Sequence, residues 1–199
     1  MSIIKLFIYK EGGDRVKKTY RKNILASLKD LSQVSLKKQN KEDNILKQLY
    51  QSPEWQESQV IGVTLAMPIE FDTSRLIKEA IKSGKTICVP KTFGKGLMDF
   101  HFYDETIDMF QTSFGVYEPV DSQKFDKSEI DLLIVPGVGF TKEGYRIGFG
   151  GGFYDRYLAD YEGKTCSLVF DEQLLNEFTA DKYDLPVDTL FTYQEEGPL

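Results

Sequence analysis

One histidine, one tryptophan and two cysteines are all that 199 residues contain of those types, and each scarcity narrows the chemistry. His101 alone cannot build a His-rich metal site, and it leaves a Ser-His-Asp hydrolase with little support. In a loosely alternating segment such as Met98 to Tyr103 a lone histidine reads as a satisfied strand residue. Cys88 and Cys166 rule out a disulfide framework, and since each lies in an apolar run, reduced core thiols are expected rather than catalytic ones. No apolar stretch approaches the roughly 20 residues needed to cross a bilayer. The run from Ile3 to Tyr9 is short, is interrupted by Lys5, and no small-residue cleavage site follows it. A cytoplasmic protein with no membrane partner is therefore expected. Excess positive charge is missing too: 25 Lys and Arg against 31 Asp and Glu give a net charge of −6, so the balance does not point to nucleic acid. Internal repeats and low-complexity linkers are lacking.

What is present fits one domain with a substantial core. Residues 1–14 read as an N-terminal extension with a hinge at Gly12 and Gly13, and 15–199 as a single domain. Val16, Tyr20, Ile24, Leu28 and Leu31 recur at helical spacing, and a second, more exposed helix is expected from Leu36 to Tyr50, with Trp55 packing after it. Val60 to Ala66 is a continuous apolar run, the form of a strand covered on both faces. A helix capped by Asp72 or Thr73 follows, then a strand from Lys85 to Val89 that stops at Pro90 and Lys91. This βαβ spacing implies parallel strands. Further strands are expected at Lys164 to Phe170 and Thr189 to Phe191, with a short helix from Asp171 to Phe178 between them. The class is α/β: a three-layer, open, mostly parallel sheet with helices on both faces, Rossmann-like.

The chain is organised around Asp131 to Tyr161. Leu132 to Val135 reads as a strand, Pro136-Gly137 breaks it, and Gly148, Gly150, Gly151 and Gly152 crowd together before a helical pattern begins. Strand, glycine loop and helix in direct succession suit an anion, because glycines let the backbone approach and turn N–H groups toward one point, and a helix adds its dipole. Arg146 stands just before the glycines with a charge it cannot lose. Tyr154, Tyr157, Leu158 and Tyr161 fall at i, i+3, i+4 and i+7, a buried stripe. Neither the P-loop nor the dinucleotide fingerprint fits, since no Lys-Ser/Thr follows and the glycine spacing differs. Lys17, Lys18 and Arg21 gather near the start of the first helix; a solvated face accounts for them, yet cations there oppose the dipole and are easier to accommodate beside an anion. Lys91, at a strand end, is a surface lysine or a further cation for phosphates.

The string Gly-Tyr-Arg-Ile-Gly-Phe-Gly-Gly-Gly-Phe-Tyr-Asp-Arg, preceded by Val135-Pro136-Gly137 and Phe140, resembles the signature of the 5-formyltetrahydrofolate cyclo-ligase family. Ile147 and Phe153 are conservative departures, and the resemblance runs from about Val16 onward. It implies an enzyme that uses ATP and Mg²⁺ to convert 5-formyltetrahydrofolate into 5,10-methenyltetrahydrofolate, releasing ADP and phosphate. The formyl oxygen is phosphorylated, and N10 attacks the resulting iminium phosphate. Carried onto this chain, the resemblance implies that Lys17, Lys18, Arg21, Arg146 and the backbone of Gly148, Gly150, Gly151 and Gly152 hold phosphates. Met67, Glu70 and Asp72 border the folate, which Phe153 and Tyr154 wall in together with the glycines; Arg146 and Tyr154 are the catalytic candidates. Asp155 and Asp184 are the implied magnesium ligands, and Gly115 to Pro119 is the implied wall turn. Asp72 and Asp184 also read as ordinary turn caps. Besides the enzyme, a non-catalytic folate or nucleotide binder on the same fold stays open, as does, more weakly, a sugar-phosphate isomerase. The expected assembly is a monomer or weak homodimer.

Overall fold

The computed structural model describes residues 3–176 and 178–195, with side chains from residue 15 onward except at 177. Residues 1–2 and 196–199, the outer ends of the expected extension and domain, lie outside the described residues. Helix α1 (Ile3–Gln33) passes through Gly12 and Gly13, where the sequence suggests a hinge. After α1 come α2 (Ser35–Gln51) and α3 (Pro53–Glu57), the latter capped by Ser52, whose Oγ accepts the Trp55 N–H at 3.3 Å. Then β1 (Val60–Val63), α4 (Ser74–Lys82) and β2 (Thr86–Phe93) form the βαβ unit. Next are β3 (Leu97–Tyr103), a small hairpin of β4 (Met109–Gln111) and β5 (Tyr117–Pro119), and β6 (Lys124–Phe125). The central stretch supplies β7 (Leu132–Ile134), β8 (Gly139–Thr141), β9 (Arg146–Ile147) and α5 (Phe153–Leu158). The chain continues through β10 (Lys164–Val169), β11 (Leu174–Leu175) and β12 (Thr189–Thr192).

The main sheet has the order β12-β10-β7-β1-β2-β3-β6. The first five strands are parallel, and β3 pairs antiparallel with both β2 and β6. Alternation along the strands divides the core in two. Ile61, Val63, Ile87, Val89, Leu132 and Ile134 pack with residues of α1, α2 and α4 on one face. Cys88, Phe100, Leu133 and Val135 pack with Tyr157 and Leu158 of α5 on the other. Covering both faces is what makes these strands read as unbroken apolar runs, each fully buried Leu or Ile contributing about 1.5–3 kcal/mol. A Cβ on Gly62 would lie 2.4 Å from Leu133 Cδ2, so β1 uses glycine where its neighbour's side chain crosses it.

Several local expectations change. β2 does not stop at Pro90 but runs to Phe93 as a hairpin with β3. Its register with β1 ends at Cys88, so the missing proline N–H falls where that edge has no strand partner. Strand, glycine loop and helix do not follow directly: a β8–β9 hairpin intervenes and joins β11 in a separate three-stranded sheet. The helix expected over 171–178 is a single 3₁₀ turn, Asp171–Gln173, before β11. Gln173 closes that turn, accepting the Phe170 N–H at 2.9 Å and donating to the Gly137 carbonyl at 2.8 Å, and pairing with β8 takes the chain onward as a strand. On α2, Lys41 and Glu42 are buried rather than exposed. Lys41 meets Asp171 and Glu172, while Glu42 takes Lys38 at 2.9 Å and the Asp72 N–H at 2.9 Å.

Candidate functional site

Open parallel sheets leave a crevice at the carboxyl ends of their strands, and here the ends of β1 and β7 frame one. It is a cleft lined by Thr64, Glu70, Phe71, Val135, Gly137 and Gln173 among others. A turn after β1 builds one wall: the Met67 N–H donates to Glu70 Oε2 at 2.8 Å, and the Glu70 N–H returns to the Met67 carbonyl at 2.9 Å. Burial pushes the Glu70 carboxyl above its ordinary value of 4.5, against the Met67 hydrogen bond and the charge of Lys38. Asp72 has a different geometry. Its Oδ1 accepts the Ser74 N–H at 2.9 Å, so it caps α4 from outside the helix while Thr73 donates to the Thr64 carbonyl at 2.7 Å. Phe71 stacks on Phe170 with ring centroids 5.5 Å apart, a rigid apolar floor.

Since the folded carboxyl keeps its proton to higher pH than the unfolded one, Glu70 destabilises the fold progressively as pH rises through 4.5 and above. Glu70→Gln is therefore expected to melt no lower than the parent at pH 7, and to lose the parent's decline in stability as pH rises from about 4.5. A thermal melt series across pH checks this. A clearly lower melting temperature at pH 7 would mean that the carboxylate is structural.

Beside the cleft lies the glycine loop. Arg146, on β9, is buried; its Nη1 donates to the Leu185 carbonyl at 2.7 Å and its Nη2 to Asp155 Oδ1 at 2.7 Å. Burial lowers the guanidinium's pKa, with Asp155 pulling the other way. Gly150 and Gly152 adopt φ of 105° and 65°, in the left-handed region where a side chain would be strained. Gly152 is also the residue before α5, which has only six residues, so dipole support for an anion is slight. The donors matter more. Among the described residues, none of the backbone N–H groups from Phe149 to Asp155 donates a hydrogen bond. Arg21, on α1, donates through Nε to the Gly148 carbonyl at 2.8 Å.

The structure also brings Lys17 and Asp184 here. Lys17 Nζ is 2.6 Å from Asp184 Oδ2 and 3.2 Å from Asp181 Oδ2. Burial works against the ammonium, but the hydrogen bonds and charges of Asp184 and Asp181 outweigh it and raise the pKa. Asp184 precedes Leu185, whose carbonyl holds Arg146, so Asp184 and Asp155 flank one guanidinium. Lys18 is exposed, and its side chain makes no hydrogen bond or ion pair among the described residues. Tyr154 sits over Arg146, ring centroid 6.0 Å from the guanidinium carbon. Its hydroxyl is buried beside the Thr64 side chain, which lies close enough to interact with it although not in good hydrogen-bond geometry. Burial pushes this phenol far above its ordinary range, Arg146 opposing and Glu70 adding to the shift. Phe153 is half-buried, and a Cβ on Gly151 would come within 2.6 Å of its ring, so the loop is folded onto that side chain.

Other expected groups go elsewhere. Lys91 donates to the Val120 carbonyl at 2.6 Å, and Glu118 accepts from Thr92 N and Oγ1 at 2.9 and 2.7 Å, which ties the β4–β5 hairpin to β2. His101 Nδ1 lies 2.9 Å from the Ser122 carbonyl. Sequence reasoning did not single out Thr64, Phe71, Gln173 or Arg156, which line the cleft or hold the loop. Arg156 closes the glycine string, where its place beside Asp155 was the available signal; Thr64, Phe71 and Gln173 carry no motif-like spacing, and only the fold places them.

Residues 14–193 match the model of the 5-formyltetrahydrofolate cyclo-ligase family. The chain is similar to the 5-formyltetrahydrofolate cyclo-ligase of Mus musculus, 30% identical over 159 residues that cover 73% of this chain and 77% of that one. It is similar to that of Escherichia coli (strain K12), 30% identical over 139 residues, 66% of this chain and 76% of the other. Among solved structures, the NMR structure of Aquifex aeolicus 5,10-methenyltetrahydrofolate synthetase is 28% identical with a TM-score of 0.77, covering 92% of this chain and 95% of that one. The 5,10-methenyltetrahydrofolate synthetase from Mycoplasma pneumoniae, at 24% identity and a TM-score of 0.70, shares the fold over 88% of this chain and 97% of that one.

Proposed function

The chain belongs to the 5-formyltetrahydrofolate cyclo-ligase family, and from that premise we propose how it closes 5-formyltetrahydrofolate to 5,10-methenyltetrahydrofolate: with ATP as co-substrate and Mg²⁺ as cofactor. The observation that carries the reading is the row of unused N–H donors from Phe149 to Asp155, in the loop that Arg146 contacts through Asp155. Oxygen-rich anions satisfy such donors, and a triphosphate is long enough to span loop and guanidinium.

The residues present suit magnesium. Asp155 Oδ2 and Asp184 Oδ1 carry no hydrogen bond among the described residues, while the other oxygen of each holds a cation. Two carboxylates with no histidine or thiolate beside them are hard oxygen donors of the kind Mg²⁺ takes in company with phosphate and water. Bound there, the ion would neutralise charge on the transferring phosphoryl group. Lys17 and Arg146, now paired with these aspartates, can turn to phosphate oxygens when the carboxylates are taken up by metal.

The folate occupies the cleft. Glu70 accepts hydrogen bonds from pterin N–H groups, and Phe153 and Tyr154 present rings to it. The chemistry needs position and charge neutralisation more than a strong acid or base. The formyl oxygen takes the γ-phosphoryl group and ADP leaves; N10 then bonds to the formyl carbon, phosphate departs with the oxygen, and the N10 proton is released to water or the departing phosphate. The two buried thiols, Cys88 and Cys166, suit a reducing compartment, and we place the enzyme in the cytoplasm as a monomer or weak homodimer. Among the described residues no helix is long and apolar enough to cross a membrane.

Mixing the full chain with 5-formyltetrahydrofolate and Mg-ATP is expected to build the absorbance of the conjugated methenyl product, and omission of ATP or Mg²⁺ to abolish it. Tight binding of folate or nucleotide without product would leave a non-catalytic binder and overturn the mechanism.

A further inference from the structure

Arg156 ends the signature string but has no role assigned among the residues carried over from it, and it reaches back across the glycine loop. Its Nη1 donates to the Gly151 carbonyl at 2.8 Å from an exposed position in α5. The same guanidinium fills the space beside two glycines: a Cβ on Gly152 would lie 2.9 Å from Nη1, and a Cβ on Gly96, at the tip of the β2–β3 hairpin, only 2.3 Å from it. Gly96 would also meet the Gly151 carbonyl at 3.1 Å, so hairpin tip, guanidinium and loop form one packed junction.

We infer that Arg156 is a positioning residue that clamps the glycine loop by its outward carbonyl and so aims the loop's N–H groups at the triphosphate, an inference that rests on the reading given above. A peptide unit is planar and trans, so its C=O and the next N–H point in opposite directions. Holding the Gly151 carbonyl on the Arg156 side therefore turns the Gly152 N–H, one of the unused donors, to the other side. Arg21 does the same from α1: with the Gly148 carbonyl held at 2.8 Å, the Phe149 N–H faces away from it. Glycines at 148, 150, 151 and 152 have no side chains to fix these peptide planes, and Gly150 and Gly152 take positive φ, a region that only glycine enters without strain. Two arginines from two helices supply the orientation that the loop's own sequence lacks.

The test is steady-state kinetics and Mg-ADP titration on the full-length Arg156→Ala, Arg156→Lys and Gly96→Ala variants. Arg156→Ala is expected to raise the KM for ATP about tenfold, as loss of one charge-assisted hydrogen bond would. Its kcat should stay within about twofold, its KM for 5-formyltetrahydrofolate and its melting temperature should be unchanged, and millimolar guanidinium should restore part of the lost affinity. Arg156→Lys should fall between the two, because an ammonium can still donate to the carbonyl. Gly96→Ala, which displaces the guanidinium while leaving it in the chain, should shift the same constant. Unchanged KM and Mg-ADP affinity in Arg156→Ala, with the parent fully active, would overturn the clamp alone. A parent that binds Mg-ADP more tightly than Arg156→Ala but makes no product would overturn the ligase reading and keep the clamp; a parent that neither binds nor turns over would overturn both.

Discussion

Asp155→Asn is expected to lose about a hundredfold or more in kcat while keeping its fold. The asparagine carbonyl can still accept from Arg146 Nη2, now 2.7 Å from Asp155 Oδ1, so the geometry around the guanidinium survives and only charge is removed. What disappears is a hard anionic oxygen for Mg²⁺, which an amide replaces poorly. Absorbance of the methenyl product gives the rate, and a thermal melt reports the fold. Near-parental turnover at saturating Mg²⁺ would remove Asp155 from the metal site; a collapsed melt would show that the charge holds the fold instead.

Arg146→Ala is expected to fail on two counts. The side chain is 4% exposed and satisfies both Asp155 and the Leu185 carbonyl. Truncation leaves a carboxylate and a carbonyl without their donor, and breaking such a pair costs about 3–5 kcal/mol. Asp155, at 30% exposure, can recover some hydration, which puts the expected loss near the low end of that range, about 3 kcal/mol. The KM for ATP should rise by about a hundredfold, since the charge facing the phosphates goes as well. Arg146→Lys separates the effects. One ammonium lacks the fork that serves Leu185 and Asp155 together, so stability should fall less than with alanine while the KM stays high. Urea denaturation and ATP titration measure the two independently, and an unchanged KM in either variant would take Arg146 out of the phosphate site.

These two aspartate and arginine positions were visible as residues but not as partners. Arg146 and Asp155 are nine positions apart and read as separate ligands, one for phosphate and one for metal; the structure joins them in a single ion pair. Lys17 and Asp184, 167 positions apart, are joined likewise. These charges compensate each other, because an unpaired buried charge is too costly to leave alone. Arg21 shows a similar shift, from phosphate candidate to a donor for the Gly148 carbonyl. Asp72 was legible both as a helix cap and as a folate contact, and in this structure its Oδ1 caps.

The fold class could be read from the chain because the signals it rests on are local. Apolar runs at β1, β7 and β10, helical stripes on α1 and α2, and glycines at a break each act over a few residues, and the βαβ spacing allows few topologies. The hairpin of β8 and β9, the extension of β2 through Pro90 and the loss of the helix after Asp171 were decided by strand pairing between distant segments and by Gln173 bridging to Gly137. The sequence by itself determined which chemistry is available: a glycine loop, an arginine, two aspartates and aromatic rings. Only the tertiary structure decided which way each donor points and which charge meets which, because those depend on through-space distances of a few ångströms that no spacing along the chain encodes.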